Sequence, residues 1–248
     1  QRHASNAGLA RAVAEDPLAL GLASFSEIGN ALPLALSGDC GFDLAATRRS
    51  IKTGDYPLSA PMFLYLPARR LPALVREFLS FTRSAPAQIV IRRAGFVDQA
   101  PEEIPLDLQG MRLAHAVAVA RGAAGLETLQ EMTRQMGRAR RLSTSFRFAP
   151  GGPDLTAASR SNVQQLARAL ETGLHDGRAL HFVGFADGSE VAGDANALAA
   201  ARARAVRDAV QEAARIADPS RIALATEAYG RAMPVACEDS LAGRMVNR

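Results

Sequence analysis

The sequence predicts an α/β (α+β) chain in which helices pack on one side of a small mixed sheet. Two hydrophobic periods carry this prediction. Residues 141–148 read R-L-S-T-S-F-R-F, whose side chains alternate as in a half-buried strand. Val163, Leu166 and Leu170 instead recur at helical spacing. The apolar run from Ala179 continues the alternation of element types, so the second half of the chain has a β-α-β-α-β order.

The elements of this second half follow one another with short connections. We expect strands over 141–148, from residue 179, and over 222–228, with helices over 155–170 and 197–214. The predicted core consists of Phe146, Phe148, Leu166, Leu170, Phe182, Leu198 and Val206.

The first hundred residues indicate a second α/β unit, built from shorter elements. The patterns predict a helix over 5–14 capped by Ser5 or Asn6, strands over 18–23, 62–66 and 88–91, and a helix over 71–83. Apolar surface and sheet edges of this unit are expected to be exposed.

The segment 98–105, D-Q-A-P-E-E-I-P, has the composition of a linker that runs over the surface. Two helical stretches, 111–119 and 126–136, follow it. The sequence therefore predicts three parts, residues 1–98, 99–140 and 141–248.

Composition limits the classes of function. The formal net charge of +4 comes almost wholly from arginine, with Lys52 the single lysine. The arginines are scattered and not interleaved with aromatic residues, so nucleic acid is not an expected partner. No apolar run approaches the roughly 18 residues of a spanning helix. Because the chain starts without Met, we expect an export signal upstream.

The two cysteines, Cys40 and Cys237, show no metal-binding or C-x-x-C spacing. Each could pair with a cysteine outside this sequence or stay reduced. A bridge between them is the less favoured alternative, because it requires two predicted units to pack through those loops.

Signatures of catalysis are missing from the sequence. His3, His115, His175 and His181 are isolated and lack metal-ligand spacing, and no nucleophile or nucleotide motif is present. We therefore expect a non-catalytic protein without cofactor or metal.

The most informative residues are an acid at the end of an apolar strand and an arginine on the next helix. Asp187 closes the run Gly184-Phe185-Ala186-Asp187, and Arg202 lies fifteen residues later. Such a pair can hold a zwitterion, with Asp187 facing the ammonium and Arg202 the carboxylate. Asp194 or Asn196 could cap the helix, whose first turn would also attract a carboxylate. Alternatively, the two side chains pair with each other, or Arg202 is one of several solvated arginines.

From about Leu142 to Arg248 the chain resembles the OmpA-like domain, a peptidoglycan-binding module. The family pattern runs G-H-T-D, a spacer, N-x-x-L-S-x-x-R-A-x-x-V and finally N-R-R. The matching residues are Phe146, Phe148, Leu155, Gly184, Asp187, Leu198, Arg202, Ala203, Val206 and the closing Asn247-Arg248. Departures are Phe185, Ala186 and Glu190, and Asn196 stands one place late, with Ala195 in its usual position.

In that family the acid and the arginine grip the free amino-acid centre of diaminopimelate in the peptide stem. The resemblance implies a peptidoglycan site formed by Asp187, Arg202, Asn196 and Leu198. It also implies a periplasmic location, associated with the cell wall or outer membrane.

Residues 1–98 resemble the closing part of a PstS-like periplasmic solute-binding domain. The matching motifs are Asp16-Pro17, Ala19-Leu20-Gly21, Asp55-Tyr56-Pro57-Leu58, Glu77-Phe78-Leu79, Gln88 and Gly95-Phe96-Val97. The resemblance implies phosphate or another small anion as a partner, although the family's G-S-G-T anion-binding helix start has no counterpart here. Two functions follow. Either a peptidoglycan-binding module anchors a solute-binding-like domain, or an anion-binding or sensing protein carries an accessory OmpA-like part.

Overall fold

The computed structural model describes residues 2–187, 194–215 and 219–248. Its α-helices within these ranges are α1 Asn6–Glu15, α2 Arg48–Lys52, α3 Ala73–Thr82, α4 Ala85–Arg93, α5 Gly110–Val119, α6 Gly122–Met136, α7 Ala157–Glu171, α8 Ala195–Ala213 and α9 Leu241–Asn247. Every helix in the described ranges is too short or too polar to span a bilayer.

The strands of the described residues form three two-stranded sheets. They are β1 Leu36–Ser37 with β2 Asp43–Leu44, β3 Glu103–Ile104 with β4 Arg141–Leu142, and β5 Ala179–Gly184 with β6 Ala223–Ala228. The first two sheets are antiparallel, whereas β5 and β6 are parallel, in register from Ala179 opposite Ala223 to Gly184 opposite Ala228. A parallel pair needs a crossover, and α8 provides it.

The main core lies where α7 and α8 cover the β5–β6 sheet. Its buried members are Val163, Leu166, Leu170, Phe182, Ala203, Val206, Val210 and Ile222. Helices on a small sheet give the predicted fold class, and the predicted positions of α7, α8, β5 and β6 are confirmed within two residues.

The predicted core is confirmed except at its edges. Phe146 and Phe148 are half-buried and pack against the cluster. Leu198 was expected inside, but it is half-buried and outside the cluster, whereas its neighbour Ala199 is fully buried. The inward stripe of α8 runs through Ala199, Ala203, Val206 and Val210, and Leu198 lies beside that stripe.

The predicted strand over 141–148 is mostly wrong. Only Arg141 and Leu142 form β4, and they pair with β3 instead of joining β5. In the rest of this stretch, side chains and turns provide the hydrogen-bond partners of the backbone groups. Ser159 Oγ accepts from Arg147 N at 2.6 Å and donates to Arg147 O at 2.8 Å. An isolated bridge between Phe148 and Leu155 is the remaining strand-like pairing described in this stretch.

In the first hundred residues the two predicted helices formed, as α1 and α3. Helices α2 and α4 were not predicted, and the predicted strands did not form. Ser5 caps α1 by accepting from Gly8 N, and α3 covers the predicted helix. Residues 18–23 and 62–66 lie in loops, and 88–91 belong to α4. Ser84 caps this helix, and a proline occupies its second position. Short apolar runs do not by themselves separate strand from helix or loop. As expected, apolar side chains are exposed here, with Leu18 at 93%.

The expectation that 98–105 is a surface linker with few contacts is wrong. Asp98 is buried, and its carboxylate lies 3.0 Å from Lys52 Nζ and 3.0 Å from Arg92 Nε. Ile104 is also buried, in the strand that pairs with β4. The segment therefore ties together residues on either side of it.

A disulfide joins Cys40 to Cys237, with 5.6 Å between their Cα atoms. The less favoured alternative is thus the one formed. The packing that it requires exists, because Asp39 N donates to Asp239 Oδ2 at 2.6 Å and Leu44 packs against Val235 and its buried neighbours.

The division into residues 1–98, 99–140 and 141–248 stays a prediction, which limited proteolysis can test. We expect a resistant fragment containing 141–248 that remains linked to the Cys40 peptide on a non-reducing gel and separates from it after reduction. Degradation of the whole chain without such a fragment would contradict the division.

Candidate functional site

The end of β5 and the inward face of α8 position the predicted pair. Asp187 follows Gly184, the last residue of β5, by three positions. Asp194 caps α8, because its Oδ1 accepts from Asn196 N at 2.9 Å. Arg202 lies on the stripe of α8 that faces the sheet and is 0% exposed.

Gly184 lets α8 approach the strand closely. A Cβ atom at this position would lie 1.9 Å from the carbonyl oxygen of Ala199 and 3.2 Å from the Cβ of Ala203. Every side chain at 184 would therefore collide with the helix backbone. Arg202, one helical turn beyond Ala199, is held near the strand end by this contact.

The guanidinium of Arg202 contacts two backbone carbonyl groups and an aromatic ring. Its Nε donates to Gly152 O at 3.2 Å, and one terminal nitrogen donates to Phe185 O at 3.4 Å. The guanidinium carbon lies 4.9 Å from the ring centroid of Phe148, within cation–π range. The backbone two residues before Asp187 and the side chain of Arg202 are thus in direct contact.

Asp187 is also 0% exposed, and it accepts a hydrogen bond from Arg248 Nε at 2.6 Å. Arg248 follows α9, whose position Asn247 fixes. The Asn247 side chain accepts from Val235 N at 2.8 Å and from Ala236 N at 3.1 Å, and donates to Ala236 O. Sequence reasoning gave Arg248 no role, although the closing Asn247-Arg248 motif marked its position.

A pair that takes a zwitterion from solvent should line an open pocket, but both side chains are buried in the structure. The ring of Phe148 and Arg248 lie against them. Of the other predicted residues, Asn196 is exposed in the first turn of α8 and Leu198 is half-buried in the same turn. The departure at Glu190 lies outside the described residues.

A cavity of about 800 Å³ borders the site. Arg202, Arg248 and Phe185 form part of its wall, and much of the rest comes from α5, α6, β5 and residues 137–148. Glu103, His175 and Arg178 also line it. Within the part of the chain that the structure describes, no group of three His, Cys, Asp or Glu side chains could hold a metal ion.

One wall of this cavity contains arginines gathered around a single carboxylate. Arg141 binds both oxygens of Asp55, at 2.8 and 2.9 Å, and Arg147 approaches at 3.4 Å. Burial raises the pKa of Asp55, but the charge and hydrogen bonds of Arg141, together with Arg112 and Arg147, outweigh it and hold the pKa well below its usual range.

Residues 147–248 match the OmpA family. This part of the chain is an OmpA-like domain, in agreement with its helices packed on a small sheet. The match does not reach residues 1–98.

Three solved structures illustrate the structural similarity of this chain to known proteins. The periplasmic domain of Helicobacter pylori MotB, residues 90–256, is 20% identical, with a TM-score of 0.32, over 41% of this chain and 63% of that one. The chain thus spans less than two thirds of that domain. A cell wall anchor of the T6SS from Pseudomonas aeruginosa is 20% identical, with a TM-score of 0.33, over 49% and 90%. A longer MotB periplasmic domain, residues 64–256, is 14% identical, with a TM-score of 0.31, over 76% and 85%. No curated protein matches the chain.

Proposed function

We propose that the OmpA-like domain binds peptidoglycan through the diaminopimelate of the peptide stem, without catalysis, and anchors the rest of the chain in the cell envelope. The observation that carries the proposal is the cluster of Asp187, Arg202 and Arg248 at the end of β5, inside the segment that matches the OmpA family. Asn196 and Leu198, in the first turn of α8, complete the proposed site.

The cluster has the chemistry to hold an amino-acid centre. A carboxylate accepts hydrogen bonds from an ammonium, and a guanidinium donates hydrogen bonds to a carboxylate, so the two groups match the two charges of such a centre. Asp187 would bind the ligand ammonium, and Arg202 would bind the carboxylate. Burial strengthens such charge-assisted bonds because little water competes for them.

Arg248 covers Asp187 on the side from which the ligand would enter. Its side chain is 14% exposed, while that of Asp187 is 0% exposed. A ligand that approaches from solvent therefore meets Arg248 first. Displacement of this side chain would open Asp187, so we expect Arg248 to act both as a cover and as a ligand contact.

The disulfide between Cys40 and Cys237 supports an envelope location. Disulfides persist in oxidising compartments such as the periplasm and are rare in the bacterial cytosol. This argument is independent of the family match.

The alternative function is a periplasmic phosphate-binding, anion-binding or sensing protein in which the OmpA-like part is accessory. It rests on the PstS-like motifs of residues 1–98. The predicted strands at 18–23, 62–66 and 88–91 did not form, which weighs against that alternative.

Sedimentation with insoluble cell wall tests the proposed function. Asp187→Asn and Arg202→Gln should each weaken binding to diaminopimelate-containing peptidoglycan about ten- to a hundredfold, since each loses a charge-assisted contact. Arg204→Gln, on the same helix but exposed, is the matched control and should bind as the wild type does. Lysine-containing peptidoglycan, which lacks the second carboxylate, should bind weakly to all four proteins.

Because Asp187 and Arg202 are buried, circular dichroism and thermal melting must show that the variants are folded. Equal retention of the wild type and both folded variants would refute the site. Preference for lysine-containing cell wall would refute the ligand.

A further inference from the structure

The cavity beside the site has the size and the walls of a pocket for a small molecule. Its volume of about 800 Å³ lies within the roughly 300–1,000 Å³ typical of such pockets. Much of its wall is apolar, with Phe146, Phe182 and Leu180 from the main core cluster and Met132 and Met136 from a second cluster. Walls of this kind favour an apolar ligand portion over water.

The charges in the wall are almost all positive. Among the described residues that line the cavity, eight are arginines and one, Glu103, is acidic. Glu103 already pairs with Arg178. An anionic group would therefore be attracted to this cavity and a cationic group repelled from it.

Two buried polar atoms in the described part of the chain have no hydrogen-bond partner, and both belong to residues in this wall. They are Nε of Arg112 and Nε2 of His175, whose residue is 6% exposed. Buried polar groups in folded proteins are nearly always paired, so two such atoms around one cavity indicate a missing partner inside it.

Arg112 also carries a charge that its surroundings only partly balance. Burial, together with the nearby charges of Arg141 and Arg147, lowers the pKa of Arg112 to about 9, although Asp55 acts in the opposite direction. Three guanidinium groups share this one carboxylate. An added anion would offset the remaining positive charge and supply an acceptor for Nε of Arg112.

We propose that this cavity binds one single-chain amphiphile with an anionic head, a carboxylate or a phosphate, whose head contacts Arg112 and whose chain lies between the phenylalanines and methionines. His175 provides a second polar contact along the cavity. The cavity adjoins the proposed peptidoglycan site, because Arg202 and Arg248 lie in its wall. The amphiphile proposal does not rest on that function.

Isothermal titration calorimetry with dodecanoate and dodecyl phosphate, both below their micelle concentrations, tests the proposal. We expect one site per chain for at least one of them, and the stronger of the two identifies the head group. Inorganic phosphate alone and the cationic dodecyltrimethylammonium should show no saturable binding.

Arg112→Leu should weaken binding of the anionic amphiphile at least tenfold. The same variant should melt at or above the wild-type temperature, because it removes a buried charge with an unpaired Nε. Arg134→Leu, on α6 with a side chain that is 74% exposed, is the control and should leave affinity unchanged. Arg112→Leu should not alter sedimentation with cell wall, which distinguishes failure of this proposal from failure of the proposed function.

Should Arg112→Leu not fold, Arg112→Lys carries the test, because it keeps the charge and loses the planar guanidinium. We expect it to weaken binding by a smaller factor. Unchanged affinity in the folded variant, or equal affinity for the cationic amphiphile, would overturn the proposal. Binding would then be assigned to the exposed apolar side chains of residues 1–98.

Discussion

Replacing Cys40 and Cys237 together by serine should lower the free energy of unfolding by about 3–5 kcal/mol. The bridge connects residues 197 positions apart, so it closes almost the whole chain into one loop. Closing a loop of that length removes a large amount of conformational freedom from the unfolded chain.

Urea denaturation without reductant measures this change, and the wild type in dithiothreitol provides the matched comparison. Reduction should destabilise the wild type by about the same amount and leave the double variant unaffected. If the double variant is as stable as the oxidised wild type, the disulfide does not contribute to the free energy of unfolding. The serine pair also avoids the free thiol that a single substitution would leave.

Asp55→Asn should lower the free energy of unfolding by about 3 kcal/mol at neutral pH. The carboxylate is 13% exposed and binds Arg141 through two hydrogen bonds, with Arg147 nearby. The amide would leave these partly buried guanidinium groups without a counter-charge. Asp208→Asn removes a carboxylate that is 60% exposed and should change stability by less than about 0.5 kcal/mol.

The same carboxylate gives stability a defined dependence on pH. Because its pKa is lowered in the folded state, the stabilisation by Asp55 is fully present above its unfolded pKa of about 3.9. It is lost as pH falls below about 4 towards the folded pKa. Thermal melting between pH 7 and pH 2 should show a steeper decline for the wild type than for Asp55→Asn. Parallel curves for the two proteins would contradict this account of Asp55.

The parts of the fold that were predicted correctly are those with a long, unambiguous period. Helix α8 has a long stripe of small apolar residues that includes Arg202, and β5 has an apolar run that fits one strand length. Residues 141–148 also alternate, yet most of them lack a strand partner. Alternation shows that one face is buried but not what the backbone pairs with.

The sequence predicted where Asp187 and Arg202 lie, but not which side chains cover them. Asp187 and Arg202 do lie near one strand end, as their spacing indicated. Their burial depends on Phe148 and Arg248, which come from distant parts of the chain. The disulfide was disfavoured for the same reason, since local sequence carries no information about how loops 197 residues apart pack.

Gly184 sets the spacing between the strand and the helix of the proposed peptidoglycan site. Even a methyl group at that position would have to push the backbone of α8 away, because the atom it meets is the carbonyl oxygen of Ala199. Arg202 would move outward with the helix, whereas Asp187 would stay with the strand. The gap between the two charges is thus governed by a residue that has no charge and no side chain. Domains of this kind could diverge in the ligands they accept while every charged residue of the site stays the same.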